Sequence, residues 1–151
     1  IMLPLLLSLL LVSAALPSHA APVLKGHGGS DTKCPLTVKI LDAVKGTAAG
    51  PMALALYKKT ADGGWTQIAN GMTDATGEIH ELVPEEAFPP GLYRLDFDTK
   101  AYWMNEGNTP FHEVTNVVFE AHAGGHRHYT LAMLLSPYSF TTTALVSDVP
   151  H

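Results

Sequence analysis

His122, His126 and His128 crowd three imidazoles into one short stretch, and imidazole is both a common metal ligand and an acid–base group near neutral pH. Their spacing matches no zinc signature, and on a strand His126 and His128 would share one face while Arg127 points away. The cluster reads as a solvated, pH-sensitive loop and strand edge, so no metal and no cofactor are expected. His80 and His112 read as structural hydrogen-bonding residues. Cys34 is the single cysteine and has no activating neighbour in the sequence, which argues against a nucleophile. It cannot form an internal disulfide; a thiol, a small-thiol adduct or a bond to another chain are its options.

Lys39 and a set of threonines offer binding chemistry instead. Along Leu36 to Asp42, Leu36, Val38 and Ile40 alternate onto one face, the expected core face, which sends Thr37, Lys39 and Leu41 to the other. Taken alone, Lys39 is a solvated cation on an exposed face. The run from His126 to Val146 reads as two strands joined at Ser136-Pro137. On the first, Thr130, Ala132 and Leu134 oppose Tyr129, Leu131, Met133 and Leu135; on the second, Thr141, Thr143 and Leu145 fall together. A face of Thr, Ala and Leu is too apolar for water and too sparse to fill a core. It suits a ligand channel or a subunit contact, although β-propensity alone would also place Thr there.

The elements that must hold these faces are short and alternating. Segments Leu36 to Asp42, Ala53 to Lys58, Trp65 to Met72, Glu78 to Leu82, Leu92 to Phe97, Val114 to Ala121, Tyr129 to Leu135 and Phe140 to Val146 predict an all-β, eight-stranded antiparallel sandwich or barrel. Asp62-Gly63-Gly64 and Ala123-Gly124-Gly125 supply hairpin-type turns, and Pro89-Pro90-Gly91 stops pairing before Leu92. One helix is predicted from Thr99 to Asn105, with Asp98 as its N-cap and Gly107 past its end.

Met2 to Leu16 is almost wholly apolar and leads into Pro17-Ser18-His19-Ala20, the pattern of a secretory signal over residues 1–20 rather than a membrane span. The leading Ile1 and the lack of a basic start suggest a truncated precursor. Residues 21–33 read as a flexible Gly/Ser/His arm, and residues 34–151 as one domain of a secreted, extracellular protein. A net charge of −5 with no Lys/Arg cluster argues against nucleic acid as a partner. No N-glycosylation is expected, because Asn108-Thr109 runs into Pro110.

Four motifs, CPLTVKILDAVKG (Cys34 to Gly46), DATGEIHEL (Asp74 to Leu82), FDTKAYW (Phe97 to Trp103) and the final strand pair, occur in an order that closely resembles the transthyretin family. The resemblance covers Cys34 to about Val146 without a gap. It implies two four-stranded sheets with one short helix, assembly as a homotetramer (a dimer of dimers) in plasma, and a central channel that binds thyroid hormones. It further implies that Lys39 and Glu78 meet the amino-acid end of the hormone, that Leu41, Thr130, Ala132, Leu134, Thr143 and Leu145 line the channel, and that Thr141 reaches the phenolic hydroxyl. Plasma retinol-binding protein is the implied protein partner. Leu145, Met133 and Phe140 depart from the usual residues of the family.

The rival in the same fold is 5-hydroxyisourate hydrolase, which uses two histidines, an arginine and a C-terminal Tyr-Arg-Gly-Ser. Those positions hold Lys39, Thr130, Glu78 and Thr143-Ala144-Leu145-Val146 here. No general base or orienting cation of that set is left, so a carrier and not an enzyme is expected.

Overall fold

The computed structural model describes residues 34–124 and 127–148. The leader and arm expected over residues 1–33, and His126, lie outside the described residues.

Strand β1 (Leu36–Asp42) is followed by β2 (Thr47–Ala48), β3 (Ala53–Lys59), β4 (Trp65–Met72), β5 (Glu78–Ile79) and β6 (Gly91–Phe97). Helix α1 (Thr99–Asn105) then leads to β7 (Thr115–Ala121), β8 (Arg127–Ser136) and β9 (Ser139–Asp148). One sheet has the order β2-β1-β8-β9, with β5 also paired to β1; the other has the order β4-β3-β6-β7. The expected eight-stranded antiparallel sandwich is present with two refinements. A fifth strand joins the first sheet because the short β2 and β5 share the β1 edge, at Leu41–Asp42 and at Val38–Lys39 respectively. At the centre of that sheet, β1 and β8 run parallel, from Leu36 opposite Tyr129 to Asp42 opposite Leu135. Parallel neighbours need a long crossover, and nearly all the intervening chain supplies it.

The core fills the space between sheets by strict alternation. Leu36, Val38 and Ile40 of β1 and Leu131, Met133 and Leu135 of β8 are buried against Leu54 and Leu56 of β3 and Tyr93, Leu95 and Phe97 of β6. Phe88 closes one end, its ring 4.5 Å from Tyr93 and 6.1 Å from Tyr129. Full burial of such side chains contributes roughly 1.5–3 kcal/mol each, the main favourable contribution to the fold.

The expected strand over Glu78 to Leu82 is cut to two residues. Glu81 adopts φ 56°, which no strand can continue through, and Pro84 follows. The turn before β5 is fixed more tightly. Asp74 accepts hydrogen bonds from the Thr76 N–H at 2.9 Å, the Thr76 hydroxyl at 2.6 Å and the Glu78 N–H at 3.0 Å. Gly77 sits at φ 73°, and its carbonyl accepts from the Ile40 N–H at 2.9 Å. A Cβ at Gly77 would run into the Ile40 carbonyl oxygen. Gly77→Ala therefore combines left-handed strain with a backbone clash, and its expected cost is about 2 kcal/mol or more. A urea midpoint measured at fixed protomer concentration checks this, and an unchanged midpoint would contradict it.

Helix α1 forms where expected. Its N-cap Asp98 accepts from the Ala101 N–H at 3.2 Å, and Gly107 lies past its end at φ 78°. It is fastened to the far end of β1: the Tyr102 hydroxyl donates to Asp42 at 2.5 Å. The other Asp42 oxygen accepts the N–H groups of Val44 at 2.8 Å and Lys45 at 2.9 Å. Asp42 is 1 % exposed. Burial acts to raise its pKa, but the Tyr102 hydroxyl and the two backbone donors, with the Lys45 charge, outweigh it and hold the carboxyl below its usual value. Burial and the same hydrogen bond push the Tyr102 hydroxyl well up.

Candidate functional site: the outer face of the first sheet

Register across the first sheet decides which side chains meet. Thr37 lies opposite Thr130, Lys39 opposite Ala132, and Leu41 opposite Leu134. On the other side of β8, Thr130 faces Leu145, Ala132 faces Thr143, and Leu134 faces Thr141. Paired residues share a face, so three rows of three residues form one surface on the side away from the core. Eight of the nine candidate residues (Lys39, Leu41, Thr130, Ala132, Leu134, Thr141, Thr143 and Leu145) fall on it. Glu78 completes the set, because β5 pairs it directly with Lys39.

The face is open in the single chain. Leu134 is 43 % exposed and Leu145 64 % exposed, as β-sandwich outer positions are, yet neither is polar. Rows are spaced about 6.8 Å along the strands and columns about 4.8 Å across them, enough area for a molecule of two linked aromatic rings. The aliphatic groups can exchange water for such rings, and the Thr hydroxyls can donate to or accept from a phenol.

Charge is confined to the β1–β5 margin. Lys39 Nζ lies 3.3 Å from Glu78 Oε1, with both side chains partly exposed. Glu78 Oε2 also lies 3.3 Å from the Thr76 hydroxyl oxygen and 3.6 Å from His80 Nε2. The adjacent Asp74 carboxyl is held below its usual value, chiefly by the Thr76 hydroxyl, then by the Glu78 N–H, and in part by the His80 charge. A carboxylate beside an ammonium is a fitting receptor for a zwitterionic ligand end.

Other sequence readings divide. Thr37, expected on the outer face, is covered: its hydroxyl is 3.3 Å from His128 Nε2, and His128 Nδ1 bonds the Cys34 carbonyl oxygen. His128 is thus a structural tie across β1 and β8 rather than a solvated edge residue. His80 Nε2 lies beside the candidate ligand-binding carboxylate of Glu78, at 3.6 Å. His112 packs its ring 5.0 Å from Phe111 and 5.2 Å from Phe140. Cys34 is buried, which shields its thiol. Among the described residues no group of His, Cys, Asp and Glu is arranged to hold a metal ion. Sequence reasoning missed the contact between His80 and Glu78, whose signal was the place of His80 two residues after Glu78 on an alternating segment.

The chain matches the HIUase/Transthyretin family over residues 36–143 and belongs to it. The transthyretin of Aquarana catesbeiana is 54 % identical over 123 residues, covering 82 % of this chain and 80 % of that protein. Among solved structures, sea bream transthyretin in complex with thyroxine is 71 % identical with a TM-score of 0.74, covering 78 % of this chain and all of that one. A second structure, transthyretin from Sparus aurata, is also 71 % identical, with a TM-score of 0.75 over 77 % of this chain and all of its own. No helix among the described residues is long and apolar enough to cross a membrane.

Proposed function

We propose that this chain is a secreted carrier that binds and distributes thyroid hormones, and that it does so in a channel formed when two dimers bring their outer faces together. The observation that carries the reading is the continuous face of Leu41, Thr130, Ala132, Leu134, Thr141, Thr143 and Leu145 beside Lys39 and Glu78, in a chain 71 % identical to a transthyretin that holds thyroxine.

In this arrangement the iodinated rings lie against the aliphatic side chains, and their burial supplies most of the affinity, at about 25 cal/mol per Å2 before association costs are deducted. Lys39 and Glu78 at the mouth meet the carboxylate and ammonium of the hormone, while Thr141, two rows deeper along β9 than Leu145, meets the phenolic hydroxyl. These polar ends fix orientation. Exposed Leu134 and Leu145 support assembly into a tetramer, which would cover them. Docking of a plasma retinol-binding protein on the outside of the tetramer is a second role compatible with the first. The hydrolase reading has no support here: Lys39, Glu78 and Thr130 stand where that chemistry needs its histidines and arginine, and the matched relatives are transthyretins.

Labelled thyroxine binding by the protein lacking residues 1–20, with sedimentation at micromolar concentration, tests the reading. A tetramer with saturable binding is expected; a species of monomer mass would sink the channel. Lys39→Ala should weaken carboxylate-bearing ligands a few-fold and spare uncharged ring analogues, because a partly exposed ion pair is worth only about 0.2–1 kcal/mol. Equal loss for both ligand types would move Lys39 away from the mouth.

A further inference from the structure

We propose that His80 tunes the attraction of the channel mouth for an anionic ligand, through the carboxylate it shares with Lys39. The inference rests on the carrier reading above and adds to it a residue that sets charge preference.

Glu78 is divided between Lys39 and His80. One oxygen lies 3.3 Å from Lys39 Nζ and the other 3.6 Å from His80 Nε2. The Thr76 hydroxyl lies 3.3 Å from that second oxygen, but its proton is directed at Asp74, 2.6 Å away. Groups near His80 include the Glu78 and Asp74 carboxylates and, across Glu78, the Lys39 ammonium; Glu81 adjoins it in the chain. Asp74 is committed to its turn by the Thr76 and Glu78 donors, so Glu78 is the carboxylate able to redistribute its interactions.

With His80 neutral, Lys39 and Glu78 cancel, and a ligand carboxylate must compete with Glu78 for the ammonium. With His80 protonated, Glu78 has a second cation on its other oxygen, and the three-residue cluster changes from no net charge to a net positive charge. The competitor for Lys39 is then weaker. Because these side chains are partly exposed, the gain for a carboxylate ligand is about two- to four-fold, and it shrinks as salt rises.

The test must exclude titration of the ligand itself. The probe is tetraiodothyroacetic acid with its phenol blocked as a methyl ether, which keeps one carboxylate and no other charge. Its methyl ester is the uncharged control. Dissociation constants are measured on the full mature protein at about pH 6 and about pH 7.6. The expected result is that the acid binds about two- to four-fold tighter at the lower pH and the ester shows no such change. His80→Gln should bring the acid to the behaviour of the ester. His80→Lys, which fixes the charge, should hold the acid at its low-pH affinity at both values. An acid that retains its pH dependence in His80→Gln, or that binds more weakly at low pH, overturns the proposal while leaving the carrier reading intact. Failure of both probes to bind at either pH overturns both.

Discussion

Asp42→Ala is expected to destabilise the fold by about 2–4 kcal/mol, the largest effect of any single polar substitution in the described domain. The side chain has almost no access to water, and its two oxygens accept three hydrogen bonds, from the Val44 and Lys45 N–H groups and from the Tyr102 hydroxyl. Removing it orphans all three donors at once. Tyr102→Phe removes one bond and leaves two in place, so its cost should be nearer 1–2 kcal/mol. The double substitution should cost less than the sum, since each removes the partner of the other. Urea midpoints at one fixed protomer concentration measure all three, because the proposed assembly would add to apparent stability.

The same carboxylate makes a signed prediction in acid. Its folded pKa lies below the value it would have in the unfolded chain, so its contribution is complete above the ordinary Asp value of about 3.9. That contribution is lost as pH falls through the lower folded value. The wild-type chain should therefore lose stability over this window more steeply than Asp42→Asn, which has no proton to gain there. Equal slopes would show that other carboxylates dominate.

Thr143→Trp should weaken thyroxine binding by roughly 10- to 100-fold, the cost of forcing a large ring system into space the hormone needs. Thr143 is the middle residue of the β9 column, level with Ala132 and Lys39, so an indole there lies across the centre of the face. Thr66→Trp, on an exposed position of β4 in the opposite sheet, is the matched control and should bind normally. Wild-type affinity in Thr143→Trp would place the hormone site elsewhere.

Much of this site is legible in the amino-acid sequence because alternation in strands is a local rule. Burying Tyr129, Leu131, Met133 and Leu135 together sends Thr130, Ala132 and Leu134 outward whatever the strand is paired with. The pairing itself is not legible in that way. Nothing within β1 or β8 says that they run parallel, since that depends on where the chain returns after the other sheet is built. Glu78 is marked as a site residue only by family resemblance; its own short segment carries no signal that it will lie against Lys39. Asp42 reads as the end of a strand, and its partner on α1 is sixty residues away in the chain. Polar contacts of that kind follow from the packing of whole elements, not from the residues flanking them.

The parallel seam between β1 and β8 also has a consequence for the order in which the protein is made. Leu36 must wait for Tyr129 to be synthesised before the middle of its sheet exists, whereas β3, β4, β6 and β7 can pair with one another beforehand. Contacts of such long sequence separation are slow to close, and until they do β1 presents an apolar strand with an unfilled edge. The growing chain thus passes through a stage in which half of the sandwich is assembled and the other half is sticky. Chaperone protection during synthesis would act on that stage, on the same strand that later carries Lys39 to the outer face of the sheet.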